Sequence, residues 1–98
     1  MTSQILIRPE AERDLLDAAT WYEQQRQGLG HEFLNQVEAV FPTIRETPQI
    51  YPIVHRNTRR AVIRRFPFCV YYRLEEGTII VVAVLHASRN PRRWKDRA

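Results

Sequence analysis

The sequence predicts an α+β fold in which an N-terminal strand and a helical hairpin pack on a small, curled antiparallel β-sheet. Apolar residues recur at helical spacing through the first half of the chain, and a Gly-Leu-Gly break at residues 28–30 divides that pattern in two. From about residue 59 onward, β-branched and aromatic residues dominate. With 98 residues, 44% of them hydrophobic, the chain suits one domain and is too short for two, so residues 1–98 are predicted to form a single domain.

The first half contains the predicted strand and hairpin. Ile5-Leu6-Ile7 is a short apolar run typical of a strand. A helix is expected over about residues 9–26, because Pro9 suits a first helical turn and the apolar residues after it are spaced three and four apart. Pro42 is expected to kink or end the second helix. The apolar positions of that second helix are Phe33, Val37, Val40 and Ile44.

The second half predicts a sheet. Strands are expected near residues 59–65, 69–75 and 78–86, with Glu76-Gly77 as the turn between the last two. Consecutive hairpins make these strands antiparallel, and the final strand, apolar on both faces, should be internal. Residues 91–98 suggest either a short helix or a mobile tail, in which Trp94 has little reason to be buried by its own chain.

Charge is distributed unevenly along the chain. Residues 1–50 carry eight acids and four bases, a net −4, whereas residues 51–98 carry three acids and eleven bases, a net +8. Fourteen of the fifteen cationic residues are arginine, whose planar fork suits carboxylate and phosphate contacts. An acidic partner is therefore expected.

Several classes of protein are disfavoured. Cys69 is the single cysteine, which fits a reducing cytoplasm, and the longest apolar run, residues 79–85, is far shorter than a membrane helix requires. His31 and His55 lie apart from any metal-ligand spacing, so neither a metal nor a cofactor is expected. We expect a soluble, cytoplasmic protein.

The end of the final strand is the first candidate site. His86 is the last residue of the predicted apolar strand, and Arg89 follows it three residues later. A titratable residue in that position predicts chemistry or phosphate recognition.

A series of motifs resembles the RelE/ParE family of bacterial toxins along nearly the whole chain. They are Pro-Glu-Ala-Glu-Arg-Asp-Leu at 9–15, Gly-Leu-Gly at 28–30, Arg-Arg-Phe-Pro at 64–67, Val-Tyr-Tyr-Arg at 70–73 and Val-Leu-His at 84–86 followed by Arg-Asn-Pro at 89–91. The resemblance implies growth arrest, plasmid stabilization and a cognate antitoxin that wraps the toxin in a hetero-oligomer. It also implies one of two targets, which are messenger RNA on the ribosome for RelE-like members and DNA gyrase for ParE-like members.

The RelE-like alternative is a ribosome-dependent endoribonuclease. Such chemistry needs a base, an acid and cationic donors around one phosphate. His86 could serve as base or acid, Arg64, Arg65 and Arg89 could hold the phosphate, and Tyr72 could stack a base or donate a proton. The only lysine is Lys95, and arginine is a poor proton shuttle.

The ParE-like alternative, a gyrase inhibitor that acts by binding, is favoured, because the Gly-Leu-Gly hairpin and the Leu-His-x-x-Arg-x-Pro ending resemble those members more. His86 is then structural or a contact residue. A third alternative is a basic nucleic-acid-binding domain, although both predicted helices are acidic and unsuited to reading DNA. The candidate contacts with target, nucleic acid or antitoxin are Arg59, Arg60, Arg65, Arg73, Arg92, Arg93 and Trp94.

Overall fold

A computed structural model of the protein describes residues 4–98 and confirms the predicted α+β fold. Two helices pack on one face of a five-stranded sheet, and a short third helix lies on the other face. The elements in chain order are β1 (Gln4–Ile7), α1 (Pro9–Gln25), α2 (Leu29–Glu46), β2 (Ile53–His55), β3 (Thr58–Val62), β4 (Phe68–Glu75), β5 (Thr78–His86) and α3 (Arg92–Lys95).

The helical hairpin forms as predicted, with a tight connection between α1 and α2. Gly28 has a φ of 88°, in the left-handed region that glycine adopts without strain. The Glu23 carboxylate accepts the backbone N–H groups of Gly28 and Gly30 at 2.8 and 3.0 Å, and so satisfies two donors at the start of α2. Pro42 lies inside α2, which continues to Glu46 rather than ending at the proline.

The sheet has the strand order β1-β5-β4-β3-β2. The three predicted strands pair antiparallel and β5 is internal, as expected. β1 adds a parallel strand beside β5, pairing Ile7 with Val81, so the sheet is mixed rather than wholly antiparallel. β2 is an additional strand that was not predicted from the sequence. The strand expected at 59–65 ends at Val62, because Arg65 has a left-handed φ of 71° in the turn that follows.

The two faces of the sheet pack against different partners. On the helix-facing side, Val70 and Tyr72 of β4 contact the two long helices through Phe33 and its neighbours, whereas Cys69 and Tyr71 face the opposite side, toward α3. The two sets alternate along β4, because successive side chains of a strand point to opposite faces.

A β-bulge interrupts the pairing of β4 with β5. Tyr71 pairs with Ala83 and Tyr72 with Val81, so Val82 is an extra residue on β5. Val82 and Ala83 consequently both pack on the α3 side, and Val84 returns to the helix-facing side.

Residues 91–98 are helical over Arg92–Lys95, one of the two predicted possibilities. The expectation that Trp94 is not buried by its own chain is wrong. Its ring stacks on Tyr71 with centroids 4.5 Å apart and an angle of 14°, and only 5% of the residue is exposed. Within residues 4–98, no helix has the length and apolar character needed to span a bilayer.

Candidate functional site

A groove of about 800 Å³ lies where the C-terminal half of β5 meets α1. One wall carries the acids of α1 and another carries the cations that follow β5. Apolar and aromatic side chains also line the groove, including Tyr22, Phe68 and Trp21, of which Trp21 is 56% exposed. The ionisable residues that line the groove are Asp14, Asp17, Tyr22, His86, Arg89 and Arg93.

The local sequence explains these positions. Asp14, Asp17, Ala18 and Trp21 are spaced three or four apart and therefore occupy one side of α1. Burial raises the pKa of the Tyr22 phenol, so at neutral pH this groove residue keeps its proton.

His86 is half-buried at the end of β5, on the helix-facing side. Its ring meets Phe68 edge to face, with centroids 5.4 Å apart. The backbone N–H of Ser88 donates to His86 Nδ1 at 3.1 Å, and Ser88 Oγ lies 2.8 Å from the same nitrogen. Because Nδ1 accepts a hydrogen bond, the proton of the neutral imidazole lies on Nε2. In this arrangement Nε2 is a donor and not a general base.

The groove brings together three of the predicted site residues, His86, Arg89 and Arg93. Arg89 and Arg93 are exposed, so they can meet an anionic ligand without a large desolvation cost.

Tyr72 is not in the groove. It is fully buried on the helix-facing side of β4, where its hydroxyl donates to the Pro48 carbonyl oxygen at 2.7 Å. Burial raises the pKa of Tyr72 to about 12. A side chain with no exposed surface and a committed hydroxyl can neither stack on an RNA base nor donate a proton to a leaving group, so the structure contradicts that predicted role.

Arg59 also serves the scaffold. Its Nη1 donates to the carbonyl oxygens of Tyr51 at 2.6 Å and Gln49 at 3.1 Å, and so fastens the connection that precedes β2 to the sheet. These hydrogen bonds account for the position of the Arg59 side chain without the predicted contact to a partner.

The turn between β3 and β4 carries two more predicted residues, Arg64 and Arg65, both exposed. Arg65 Nη2 donates to Glu32 Oε1 at 2.9 Å, and Arg26 bonds the other carboxylate oxygen at 3.0 Å. The hydrogen bonds from Arg65 and then Arg26 lower the pKa of Glu32. Arg64 lies outside the groove lining, so the structure does not unite it there with His86 and Arg89.

The remaining predicted contacts lie on or beside the α3 side of the sheet. Arg73 Nε donates to Glu75 at 2.7 Å, Arg60 lies beside the Tyr71 hydroxyl, and Arg92 is exposed at the start of α3. The Trp94 ring is buried against the Tyr71 ring. The predicted cations therefore occupy four separate regions, which are the groove, the β3–β4 turn, the connection before β2 and the α3 side.

The ion pair between the buried Asp14 and the partly buried Arg97 was not predicted from the sequence. Arg97 Nη1 lies 2.6 Å from Asp14 Oδ2, and the same guanidinium nitrogen donates to the Val82 carbonyl oxygen at 3.2 Å. Asp14 Oδ2 also accepts the Val84 backbone N–H at 3.1 Å. No sequence pattern indicated this pair, because each residue has an ordinary local explanation. Asp14 is an acid in the first half of a helix, and Arg97 is one of several cations in a basic C-terminal segment.

Neither metal nor reactive-thiol chemistry finds support in residues 4–98. No group of three or more His, Cys, Asp or Glu side chains in this part of the chain is arranged to hold a metal ion. Cys69 is 1% exposed, and burial raises the pKa of its thiol, as for an inert core cysteine.

Comparison with known proteins places this arrangement in a family. The family model described as the ParE toxin of the type II toxin-antitoxin system parDE matches residues 5–91. Among curated proteins, Toxin ParE2 of Mycobacterium tuberculosis, in strains CDC 1551 and H37Rv, is 27% identical over 92 residues, which cover 93% of this chain and 88% of the relative.

Two solved structures share the fold. One is of the chromosomal ParDE toxin-antitoxin system from P. aeruginosa, with a TM-score of 0.65 and 15% identity over 87% of this chain and 96% of the other. The other is of the toxin-antitoxin complex RelBE2 from Mycobacterium tuberculosis, with a TM-score of 0.65 and 19% identity over 88% of this chain and 99% of the other. Since the family match covers residues 5–91 of the 98-residue chain, this chain belongs to the ParE toxin family of type II toxin-antitoxin systems.

Proposed function

We propose that this toxin acts in the cytoplasm by binding DNA gyrase and that an acidic antitoxin neutralises it in a hetero-oligomer. The main support for this proposal is that the residues predicted for RNA cleavage do not lie together around one site. Tyr72 is buried with its hydroxyl committed, His86 Nδ1 is occupied by Ser88, and Arg64 lies outside the groove that holds Arg89. RNA cleavage requires acid, base and cationic donors around one phosphate, whereas inhibition by binding does not.

The exposed surface supports a binding role. The groove combines the exposed Trp21 with cations at Arg89 and Arg93, and aromatic and arginine side chains are the residues most often responsible for interface affinity. An acidic antitoxin segment complements the +8 charge of residues 51–98. Both structural neighbours are toxin-antitoxin systems, which favours a partner of the same kind here.

A ribosome-dependent endoribonuclease is the second candidate. Both His86 and Arg89 line the groove, where the imidazolium form of His86 could protonate a leaving oxygen from Nε2 and Arg89 could hold a phosphate. The RelBE2 complex matches the fold with the same TM-score as the ParDE system.

One experiment separates the two candidates. Expression of the toxin alone should arrest growth, and purified toxin should inhibit supercoiling by gyrase while messenger RNA on translating ribosomes stays intact. His86→Ala is compared with His31→Ala, an exposed position on α2. We expect both folded variants to leave messenger RNA intact, with any loss of gyrase inhibition by His86→Ala matched by a loss of gyrase affinity.

The ribonuclease alternative predicts the opposite result. Wild-type toxin would cleave messenger RNA at the ribosome, and His86→Ala would lose about 10²–10⁴-fold in cleavage rate while still binding ribosomes. His31→Ala would cleave normally. That outcome would replace the gyrase proposal with the ribonuclease. Normal growth with abundant, folded wild-type protein would contradict both.

A further inference from the structure

Four rings form a continuous row across the groove, from the α1 wall to the end of β5. The Trp21 and Tyr22 rings meet edge to face with centroids 5.1 Å apart. The Phe68 ring lies 6.0 Å from the Tyr22 ring and 5.4 Å from the His86 ring. Trp21 is 56% exposed, and its contact with the half-buried Tyr22 supports the indole from one side. A supported, exposed indole is a surface on which a planar ligand can stack.

The opposite wall carries positive charge that is not neutralised within residues 4–98. Arg89 and Arg93 line the groove, and both are exposed. In this part of the chain, no acidic side chain forms an ion pair with either guanidinium. His86, which also lines the groove, adds Nε2 as a donor, because Ser88 occupies its Nδ1. The planar fork of arginine fits the oxygens of a phosphate group with two parallel hydrogen bonds.

The α1 wall restricts which anionic ligand fits. Asp17 lies four residues before Trp21, so the two side chains are neighbours on one side of the helix. Asp14 is already bonded to Arg97 and to the Val84 N–H, whereas the exposed Asp17 forms no ion pair within residues 4–98. A carboxylate repels phosphate groups and accepts hydrogen bonds from hydroxyl groups. The wall therefore disfavours a nucleic acid strand, whose phosphates would pass the carboxylates, and favours a ligand with hydroxyl groups beside its ring.

We propose that this groove binds a mononucleotide, either a nucleoside monophosphate or a nucleoside diphosphate. The base stacks on Trp21, the sugar hydroxyls donate to Asp17, and the phosphate oxygens accept hydrogen bonds from Arg89 and Arg93 on the opposite wall. The groove volume of about 800 Å³ lies within the range of about 300–1,000 Å³ that is usual for small-molecule sites.

A nucleotide in this position competes with any protein partner that uses the same side chains, because it covers the exposed indole and both guanidinium groups. Nucleotide binding itself does not rest on the identity of the toxin's target.

Titration of the purified, free toxin with ADP is the primary test. Trp21 is exposed and Trp94, the other tryptophan, is buried, so stacking of the base should quench the Trp21 emission. Isothermal titration calorimetry measures the Kd independently. We expect saturable, one-to-one binding of ADP with a submillimolar Kd. Adenosine and pyrophosphate should each bind about tenfold more weakly or worse, since each lacks one half of the contacts.

Variants test the individual contacts. Trp21→Ala and the double variant Arg89→Ala/Arg93→Ala should each weaken ADP binding about tenfold or more. Arg92→Ala is the matched control and should leave the Kd unchanged, because Arg92 is an exposed arginine of α3 outside the groove lining. Asp17→Ala should weaken the binding of ADP but not that of the analogue that lacks both sugar hydroxyls. Circular dichroism checks that each variant is folded.

Three results would overturn the proposal. The first is the absence of saturable binding at millimolar ADP. The second is binding of pyrophosphate as tight as that of ADP, which would show that the base is not recognised. The third is tighter binding of a single-stranded DNA oligonucleotide through the same side chains, which would assign the groove to nucleic acid. Because these titrations contain no gyrase, ribosome or antitoxin, their failure leaves the proposed function standing, and a failure of gyrase inhibition leaves nucleotide binding standing.

Discussion

Substituting Gly30 with alanine should destabilise the protein by forcing the two long helices apart. A Cβ at this position would lie 2.5 Å from the backbone carbonyl oxygen of Ala19 and 3.1 Å from Glu23 Oε1. The first contact is with the backbone of α1, so relief requires a shift of that helix and not a change of rotamer. The second disturbs the carboxylate that bonds the Gly30 N–H.

The magnitude follows from two opposing effects. Overpacking at a tight contact typically costs about 1–3 kcal/mol. Alanine is a better helix former than glycine by up to about 1 kcal/mol, which offsets part of that loss. We expect a net destabilisation of about 1–2 kcal/mol, which for a domain of this size lowers the Tm by roughly 4–16 °C.

Urea denaturation followed by circular dichroism measures the change in the free energy of unfolding. Asn35→Ala, at an exposed position of α2, is the control for helix propensity without the close contact. If Gly30→Ala proves as stable as the wild type, or more stable, the helices do not require a glycine here and the packing argument is refuted.

Two further predictions concern residues of the scaffold. Tyr72→Phe removes the hydrogen bond to the Pro48 carbonyl and should lower the free energy of unfolding by about 1 kcal/mol. Expression of this variant should still arrest the growth of cells. Loss of toxicity in a folded variant would show that the hydroxyl takes part in function. Glu32→Gln should lower stability at neutral pH, because the Arg65 bond holds the pKa of Glu32 below its ordinary value of 4.5 in the folded state. Such a stabilisation is present above the unfolded pKa and is lost as the pH falls through the folded pKa. The denaturation midpoints of variant and wild type should therefore converge as the pH falls below 4.5, and a constant difference over that range would contradict the prediction.

Local patterns in the sequence account for most of the fold. The spacing of apolar residues predicts α1 to within one residue of its end at Gln25, and the run from residue 78 to His86 predicts β5 in full. β2 is only three residues long and interrupted by a shift in register, so it leaves little periodicity to detect. The parallel pairing of β1 joins residues more than seventy positions apart, and no local pattern encodes that choice.

The candidate site was harder to predict because it depends on distant contacts. Asp14 and Arg97 are 83 positions apart, and each has an ordinary local explanation. Trp94 is buried by Tyr71, a contact that the basic composition of its own segment does not suggest. Tyr72 is different, since the alternation of side chains along a strand groups it with the apolar Val70 on one face. That grouping, followed through, would have placed its ring in the core and removed it from the ribonuclease candidates.

The bulge at Val82 decides which side of the protein receives the histidine. With strict alternation from Val81, residue 86 would point away from the long helices, toward Trp94. The extra residue reverses the count, so His86 meets Phe68 and the groove instead. Deleting Val82 would remove the bulge together with the extra residue, so Ala83 would take its place and His86 would stay on the side of the groove. β5 therefore sets nine residues against the eight of β4, and the bulge absorbs the extra one, so that Phe68 and His86 remain paired beside the groove.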